Sequence, residues 1–465
     1  MDRREKQYEV GRNSMNVAYI ICEYNPFHNG HLYHINETKR LLRPDAIVCV
    51  MSGNFTQRGE PAIADKWARA EMALRSGADL VIELHTAYSC ASSEYFALGA
   101  INAISDLNIH GTLSFGVETP EPSLFFEIAD ILAKESPQFK EALTINLKMG
   151  VSYAKARALA TEFTFFKRNP DKRGYIDIAG FLKSPNNILA IEYLKAIKRL
   201  GVDMKTLMIK RKANSHNVRI MSGNISSATS IRQRIFDNIK NSEGKKPFET
   251  QASAPPSTSN EFPALAPAHI LDRDIRRAMP DCSVKVLESD IMSGNGLKSS
   301  RDFFHPLLVT LRRMSTKDIE RFPDVSEGLA ERILAAAQTS ASYEELLDNI
   351  ASKRFPITRV MRILTFILLN IKKSDLFDAR FPSGCPYIRV LGFSKKGRNL
   401  LAEAKKHSRV PIITNYSKIK NLKSPIAPKY LEIENRATDV YFALSKTPER
   451  SKGGQEFTRN AIIVK

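Results

Sequence analysis

The sequence predicts an α/β protein that begins with a Rossmann-like parallel sheet. From residue 17 onward, short apolar runs alternate with longer segments whose apolar residues recur at helical spacing. The apolar runs are nearly continuous, which is typical of parallel strands that helices cover on both faces. A helical region and a small mixed α/β region are predicted to follow.

The elements of the first half follow one another in a regular order. Helices are predicted to end near residue 42, to span 64–75, 93–103 and 123–133, and to begin near 184 and 227. For the helix near 184, Ser184 suits the N-cap and Pro185 the first helical position. The strands that alternate with these helices are predicted at 17–22, 46–51, 80–84, 112–116 and 206–209.

Changes in composition divide the chain further. The spacing of Leu307, Leu308 and Leu311 is helical, whereas later apolar runs at 387–391, 410–413 and 440–443 resemble strands. The predicted organisation is therefore a flexible arm at 1–14, a nucleotide-type α/β domain at 15–240, a Pro/Ser/Ala-rich linker or loop at 241–267, a helical domain at 268–380 and a basic mixed α/β region at 381–465.

Composition and charge restrict the class of protein. The 465 residues include 69 Lys and Arg against 50 Asp and Glu, a formal net charge of +19. Such an excess favours a polyanionic partner, most often a nucleic acid. Five scattered cysteines without a C-x-x-C pair argue against a zinc ribbon or a disulfide scaffold and fit a reducing cytoplasm. No apolar run approaches the ~20 residues of a membrane span, so we expect a cytoplasmic protein without a membrane partner.

A first candidate site follows the first predicted strand. His28, Gly30 and His31 form an H-x-G-H pattern where a helix opens, at the carboxyl edge of the sheet. Two imidazoles at this place can donate N–H groups to phosphate oxygens, and the helix N-terminus adds amides and a favourable dipole. A glycine between them lets a phosphate approach the backbone. The pattern therefore predicts a phosphate site.

A second hydroxyl-rich motif follows the fifth predicted strand. Hydroxyls at a helix start often serve only as a cap, but four of them with an arginine one turn later suit a second phosphate cradle. Its residues are Ser226, Ser227, Thr229, Ser230 and Arg232.

The two motifs together resemble the nucleotidylyltransferase superfamily, which is kin to the catalytic domains of class I aminoacyl-tRNA synthetases. Longer strings resemble one family within it, the tRNA(Met) cytidine acetate ligases. These strings are E-Y-N-P-F-H-N-G-H-L-Y-H at 23–34, V-M-S-G-N-F-T-Q-R-G-E-P-A at 50–62, K-W-A-R at 66–69 and S-P-N-N-I-L at 184–189. One departure is His85, which stands where that family commonly has proline.

The resemblance implies a two-step ligase reaction in domain 15–240. Acetate attacks the α-phosphate of ATP to give acetyl-adenylate and pyrophosphate, and the N4 amine of the wobble cytidine of elongator tRNA(Met) then takes the acetyl group. Mg²⁺ is expected to accompany ATP. His28 and His31 would be catalytic. The implied ATP-binding residues are Ile21, Cys22, Glu23, Tyr24, Asn25, Pro26, Phe27, His28, Asn29, Gly30, His31, Leu32, Tyr33, His34, Gly116, Asn186 and Arg211.

Two further groups are candidates for the other substrates. Asn54, Gln57 and Arg58 follow the second strand on the same rim and are expected to meet acetate, the phosphates or the cytidine. A basic stretch of the last region suits phosphate contacts with tRNA, although a charged run can also be merely a solvated face. The residues expected to contact tRNA are Lys395, Lys396, Arg398, Lys405, Lys406 and Arg409.

Two alternative functions stay open at this point. One is an adenylyltransferase that acts on a small phosphorylated acceptor; the roughly 200 residues beyond the nucleotide domain argue against it. The other is a non-catalytic RNA-binding protein with a relic nucleotidyltransferase fold. The intact H-x-G-H and serine-rich motifs argue against loss of catalysis.

Overall fold

The computed structural model describes residues 15–212, 225–243, 267–326, 328–376, 385–416, 422, 424–445 and 447–465. The expected N-terminal arm at 1–14 and most of the expected linker, 244–266, lie outside the described residues. Among the helices formed by the described residues, none combines the length and apolar character needed to cross a membrane.

One eight-stranded sheet organises the chain. Its strands lie in the order β5-β4-β1-β2-β3-β6-β7, and β8 pairs with β6. Strands β1 to β5 are parallel, and β6 joins β3 in the antiparallel direction. The strands are β1 Val17–Cys22, β2 Ala46–Ser52, β3 Leu80–Leu84, β4 Gly111–Val117, β5 Lys205–Lys210, β6 Ile388–Phe393, β7 Ile412–Ile413 and β8 Ile462–Ile463.

Helices make up most of the remaining structure, with two short 3₁₀ turns at Pro170–Lys172 and Ser300–Phe303. The helices that surround the first five strands are α1 Asn29–Leu42, α2 Lys66–Arg75, α3 Thr86–Ser89, α4 Ser93–Leu107, α5 Pro122–Lys134, α6 Pro137–Lys148, α7 Tyr153–Arg168, α8 Ile178–Phe181, α9 Pro185–Leu200 and α10 Ala228–Glu243. The later helices are α11 Pro267–Ile270, α12 Arg273–Ala278, α13 Asp281–Met292, α14 Phe304–Arg312, α15 Thr316–Ile319, α16 Leu329–Thr339, α17 Tyr343–Ile350, α18 Ile357–Leu368, α19 Lys373–Leu376, α20 Lys395–His407, α21 Ala427–Phe442, α22 Pro448–Ser451 and α23 Gln455–Thr458.

The continuous apolar strands are buried on both faces, as the sequence predicts. In β1, Val17 and Tyr19 belong to the core on one face of the sheet, whereas Ala18 and Ile20 belong to the core on the other. Because side chains of a strand alternate between faces, a strand covered on both sides must be apolar throughout. The predicted fold class is confirmed.

The last part of the chain returns to this sheet. Strand β6 pairs with β3, so Leu80 lies opposite Phe393. Helices α21 and α23 bring two carboxylates, Glu434 and Glu456, to the buried ammonium of Lys66 at the start of α2. The mixed C-terminal segment is therefore joined to the nucleotide-type sheet through both hydrogen bonds and buried charge.

One predicted strand is wrong. The apolar run at 440–443 predicts an extended segment, but 440–442 form the last turn of α21. Tyr441 and Phe442 are both buried. A short apolar run that is buried on all sides has no periodicity that separates a strand from a helix, which explains the error.

Candidate active site

A cavity of about 790 Å³ lies at the carboxyl ends of β1, β4 and β5. Strand order reverses here, because β1 has β2 on one side and β4 on the other. Open parallel sheets bind ligands at such a switch point, where the loops after two neighbouring strands diverge. The H-x-G-H motif and the second hydroxyl-rich motif both line this cavity.

Hydrogen bonds to the backbone and ring stacking fix the side chains of His28 and His31 at the start of α1. The Nδ1 atom of His28 accepts a hydrogen bond from the N–H of Gly30 at 3.0 Å, and the Nδ1 atom of His31 accepts one from the N–H of His28 at 3.3 Å. The rings stack with their centroids 3.8 Å apart. Since each Nδ1 is an acceptor, each neutral ring carries its proton on Nε2. Both histidines are therefore set as N–H donors.

The surroundings keep the imidazoles of α1 neutral. Burial lowers the pKa of His31 well below its usual value, and His28 and Arg211 lower it further. Burial and Arg211 lower the pKa of His34 to about 4. His34 also bonds to the hydroxyl of Ser114 on β4 at 3.0 Å. His34 thus ties α1 to the sheet from within the cavity wall.

The position of the His28 ring requires a glycine at residue 30. A Cβ atom at residue 30 would lie 2.8 Å from Cε1 and 3.0 Å from Nδ1 of the His28 ring. These distances are shorter than normal carbon contacts, so any larger residue would displace the imidazole. The sequence pattern suggests that the glycine lets a phosphate approach the backbone. The structure shows a second role, because the absence of a side chain at residue 30 leaves room for the His28 ring.

Three predicted nucleotide contacts from distant parts of the chain meet on the other side of the cavity. Arg211 donates from Nη1 to Oδ1 of Asn186 at 3.3 Å. A Cβ atom at Gly116 would lie 3.2 Å from Cγ of Arg211. Glu118 connects the group, because it accepts a hydrogen bond from Asn186 at 2.5 Å and lies 3.8 Å from Nε of Arg211. Sequence reasoning missed Glu118.

The segment 21–34 divides into cavity wall and support. Phe27 is fully buried, and Asn29 donates to the carbonyl of Arg277 at 2.8 Å. Pro26, Phe27, Asn29 and Leu32 do not line the cavity. The members that do line it are Ile21, Cys22, Glu23, Tyr24, Asn25, His28, Gly30, His31, Tyr33 and His34.

The second motif divides in the same way. Ser227, Thr229 and Arg232 line the cavity. Ser230 is buried and its N–H is capped by Oγ of Ser227 at 3.1 Å, and Ser226 is buried behind it. Arg232 donates to the carbonyl of Asn25 at 2.8 Å, which joins the second motif to the first.

The loop after β2 contributes Gln57 and Arg58 to the cavity, but not Asn54. The sequence places Asn54 on the substrate rim. It is instead buried, accepts the N–H of Lys66 at 2.9 Å and donates to Thr438 of α21 at 3.2 Å. Its amide therefore holds the loop against the C-terminal helix.

The helical region supplies cavity residues that sequence reasoning missed. Thr358 and Arg362 of α18 line the cavity beside the loop after β2. The contact is close at Gly59, whose φ is +74° and whose Cβ would lie 2.6 Å from the backbone nitrogen of Arg362. Thr365 also donates to the carbonyl of Gly59 at 2.8 Å. Only the glycine in this loop hinted at such an approach.

The basic residues predicted to contact tRNA, on α20 and just after it, are all exposed. The helix α20, however, begins beside the amino-terminal end of β3, whereas the cavity lies at the carboxyl ends of the strands. Ser394, its N-cap, bonds to Asp79 at 2.8 Å, and Asp79 directly precedes β3. The cavity lies at the other end of the strands. The start of α20 is therefore separated from it by a strand length, roughly 17 Å for five residues.

A model described as HIGH Nucleotidyl Transferase matches residues 15–456. The chain therefore belongs to the HIGH nucleotidyl transferases, whose signature is the H-x-G-H arrangement built above.

Relatives and solved structures narrow this class. The tRNA(Met) cytidine acetate ligase of Acetivibrio thermocellus is 41% identical over 97% of this chain and 100% of its own length. That of Halothermothrix orenii is 34% identical over 95% of this chain and 98% of its own. Thermotoga maritima TmcAL, at 29% identity, covers 97% of this chain and 100% of its own, with TM-scores of 0.84 for an apo form and 0.81 for a form bound with alpha-thio ATP. This chain is a member of the tRNA(Met) cytidine acetate ligase family, and hence a ligase.

Proposed function

We propose that this chain activates acetate with ATP and transfers the acetyl group to the N4 amine of the wobble cytidine of elongator tRNA(Met). The first step forms acetyl-adenylate and pyrophosphate, and the second forms N4-acetylcytidine and AMP. The observation that carries the proposal is the pair of stacked imidazoles His28 and His31, whose Nδ1 atoms both accept backbone N–H groups, in a cavity that the second motif completes.

Nucleotide activation of this kind requires positioning and charge neutralisation rather than a covalent enzyme intermediate. In our proposal the adenosine lies toward Gly116, Asn186 and Arg211, and the phosphates lie against the α1 N-terminus. The helix dipole and the two Nε2–H donors favour negative charge there. Arg232 supplies a fixed positive charge from the opposite motif.

Mg²⁺ is proposed to arrive with ATP and to be held by its phosphates. Within the described ranges, one trio of carboxylates has metal-ligand spacing: Glu83, Glu434 and Glu456. Its centre is taken by the ammonium of Lys66, 2.6 Å from Glu83. A site whose centre already holds an ammonium does not suit a divalent cation.

The acceptor is proposed to enter on the side of the cavity that the loop after β2 and helix α18 form together. Gln57, Arg58, Thr358 and Arg362 form this side of the cavity. Cytidine's N4 amine is delocalised into its ring and is a poor nucleophile, so the acyl group must be activated and the two partners held together. The formal charge of +19 favours the tRNA backbone, and α20 would contact phosphates away from the cavity. A tRNA substrate implies a cytoplasmic enzyme.

Pyrophosphate–ATP exchange by the purified protein tests this function. We expect exchange that requires acetate, followed on addition of tRNA by N4-acetylcytidine that mass spectrometry of nucleosides detects in elongator tRNA(Met). Exchange that ignores acetate but responds to a small phosphorylated acceptor would favour the adenylyltransferase alternative. Tight tRNA binding without ATP consumption would favour the non-catalytic RNA-binding protein.

A further inference from the structure

Glu23 bridges the ends of the two central strands. It directly follows β1, and its Oε1 accepts the N–H of Gln57 at 2.7 Å and the hydroxyl of Ser52, the last residue of β2, at 3.4 Å. Its backbone carbonyl accepts a hydrogen bond from Arg69 at 2.5 Å. The carboxyl is therefore fixed in direction between the H-x-G-H segment and the loop that forms the acceptor side.

The other carboxylates of the cavity wall are already paired. Glu60 lies 3.3 Å from Arg232, Glu94 lies 3.1 Å from Lys195, and Glu192 lies 2.6 Å from Arg157. Among the described residues, Glu23 is the one carboxylate lining the cavity that has no ion-pair partner within 4.0 Å, and no donor takes its Oε2. A carboxylate without a partner keeps more basicity than one in an ion pair.

The charges around Glu23 agree with a basic carboxylate. Burial raises the pKa of Glu23, and this effect outweighs the N–H of Gln57 and the more distant Arg232, Arg58 and Arg69, which lower it. The neighbouring imidazoles do not compete as proton acceptors. His28 and His31 use Nδ1 to accept backbone N–H groups, so neither Nδ1 is available to take a proton.

We propose that Glu23 is the general base of acetyl transfer, accepting a proton from the N4 amine of the cytidine. This assignment rests on the proposed function. The N4 lone pair forms a bond to the acetyl carbon, and the bond from that carbon to the phosphate oxygen of AMP breaks. AMP leaves with the electron pair, and the N4 proton passes to Oε2 of Glu23. The products are N4-acetylcytidine, AMP and one proton, which Glu23 later returns to water.

The chemistry explains why this base acts in the second step alone. Acetate enters adenylation as an anion and has no proton to lose. The cytidine amine becomes acidic only as its bond to the acetyl carbon forms, so a carboxylate within hydrogen-bond reach suits the transfer.

The Glu23→Gln variant separates the two steps. Glutamine keeps an acceptor for Gln57 and Ser52 but cannot take a proton. We expect single-turnover transfer from preformed acetyl-adenylate to an elongator tRNA(Met) transcript to slow by about 10²–10⁴-fold, a much larger loss than that of acetate-dependent pyrophosphate–ATP exchange. Glu71→Gln, on α2 in an exposed pair with Arg75, is the matched control and should leave both steps unchanged.

A pH profile distinguishes a base from a structural support. Transfer by the unmodified protein should slow as pH falls through the raised pKa of Glu23, and Glu23→Gln should lose this limb. Glu23→Asp should be slow but keep the limb, which covers a failure of the glutamine variant to fold. Equal loss of exchange and transfer, or unchanged transfer in Glu23→Gln, would overturn the assignment. Absence of acetate-dependent exchange in the unmodified protein would instead refute the proposed function itself.

Discussion

The ammonium of Lys66 lies 2.6 Å from Oε1 of Glu83 in the interior, where neither side chain meets solvent. Glu456 also bonds to it, and Glu434 lies at 4.0 Å. Burial opposes the charge of Lys66, but Glu456 and Glu83 outweigh this effect and raise its pKa. Burial raises the pKa of Glu83 to about 8. The four side chains together join α2 and strand β3 to the C-terminal helices α21 and α23.

Replacing the lysine should therefore destabilise the whole fold. Lys66→Met removes the ammonium that three buried carboxyl groups share, and breaking a buried ion pair costs about 3–5 kcal/mol. Urea unfolding at pH 7 measures the loss. Arg75→Met, which breaks an exposed pair on the same helix, should cost less than about 1 kcal/mol. Similar losses in the two variants would contradict the role of the cluster.

Removing the imidazole donor at residue 28 should stop activation while preserving tRNA binding. His28→Asn keeps a side-chain cap for α1 but lacks the Nε2–H donor. We expect pyrophosphate exchange to fall by about 10²-fold or more, the usual cost of one lost donor to developing charge. Exposed His305, replaced by alanine, is the control. A parallel loss of tRNA affinity in His28→Asn would refute the assignment to phosphate.

The glycines of the cavity should differ in sensitivity. Gly30→Ala brings a Cβ within 2.8 Å of the His28 ring, whereas Gly116→Ala meets the flexible Cγ of Arg211 at 3.2 Å. Displacement of a reacting group by about 1 Å costs about 10²-fold in rate, so Gly30→Ala should lose kcat in the exchange reaction. Gly116→Ala should mainly raise the KM for ATP. A larger loss of kcat in Gly116→Ala than in Gly30→Ala would contradict the role of Gly30 in positioning the His28 ring.

His85 should make stability depend on pH. Its Nδ1 accepts the N–H of Ala87 at 3.2 Å, Nε2 bonds to the carbonyl of Tyr430 at 2.9 Å, and burial lowers its pKa to about 4. Between about pH 6.5 and pH 4 the unfolded chain binds this proton and the folded chain does not. The contribution of His85 is therefore complete above about pH 6.5 and declines as pH falls toward 4.

The measurement compares urea midpoints at pH 7 and pH 5 for the unmodified protein and for His85→Asn. The raised pKa of Glu83 acts in the opposite direction, because its folded form holds a proton that the unfolded chain lacks. Because Glu83 is present in both proteins, its effect cancels when the change in urea midpoint between pH 7 and pH 5 is compared between them. We expect His85→Asn to lose less stability on acidification, and identical changes would contradict the prediction.

The start of α20 should contribute to tRNA affinity without affecting activation. Neutralising Lys395, Lys396 and Arg398 should weaken tRNA binding and reduce its salt dependence by about 0.7–0.9 in slope for each phosphate that the helix no longer neutralises. Pyrophosphate exchange should not change, because this helix begins at the sheet edge opposite the cavity. Filter binding at several salt concentrations tests this, and an unchanged slope would remove the helix from the interface.

Local sequence patterns are enough to predict the first five strands and the chemistry of α1. Apolar runs buried on both faces must be continuous, so β1 to β4 were visible as local patterns, and His28, Gly30 and His31 lie within four residues of one another. Local periodicity carries such information because it reflects burial along one element.

The contributions of distant segments become visible only in the contacts of the folded chain. The pairing of β6 with β3, the turning of Asn54 toward Thr438 and the arrival of Arg362 at the cavity all depend on contacts across hundreds of residues. Neither periodicity nor spacing encodes these contacts, because a polar side chain has the same local pattern whether it faces a substrate or a neighbouring helix. The packing of α18 and α21 against the loop after β2 determines that Asn54 is buried and that Arg362 lines the cavity.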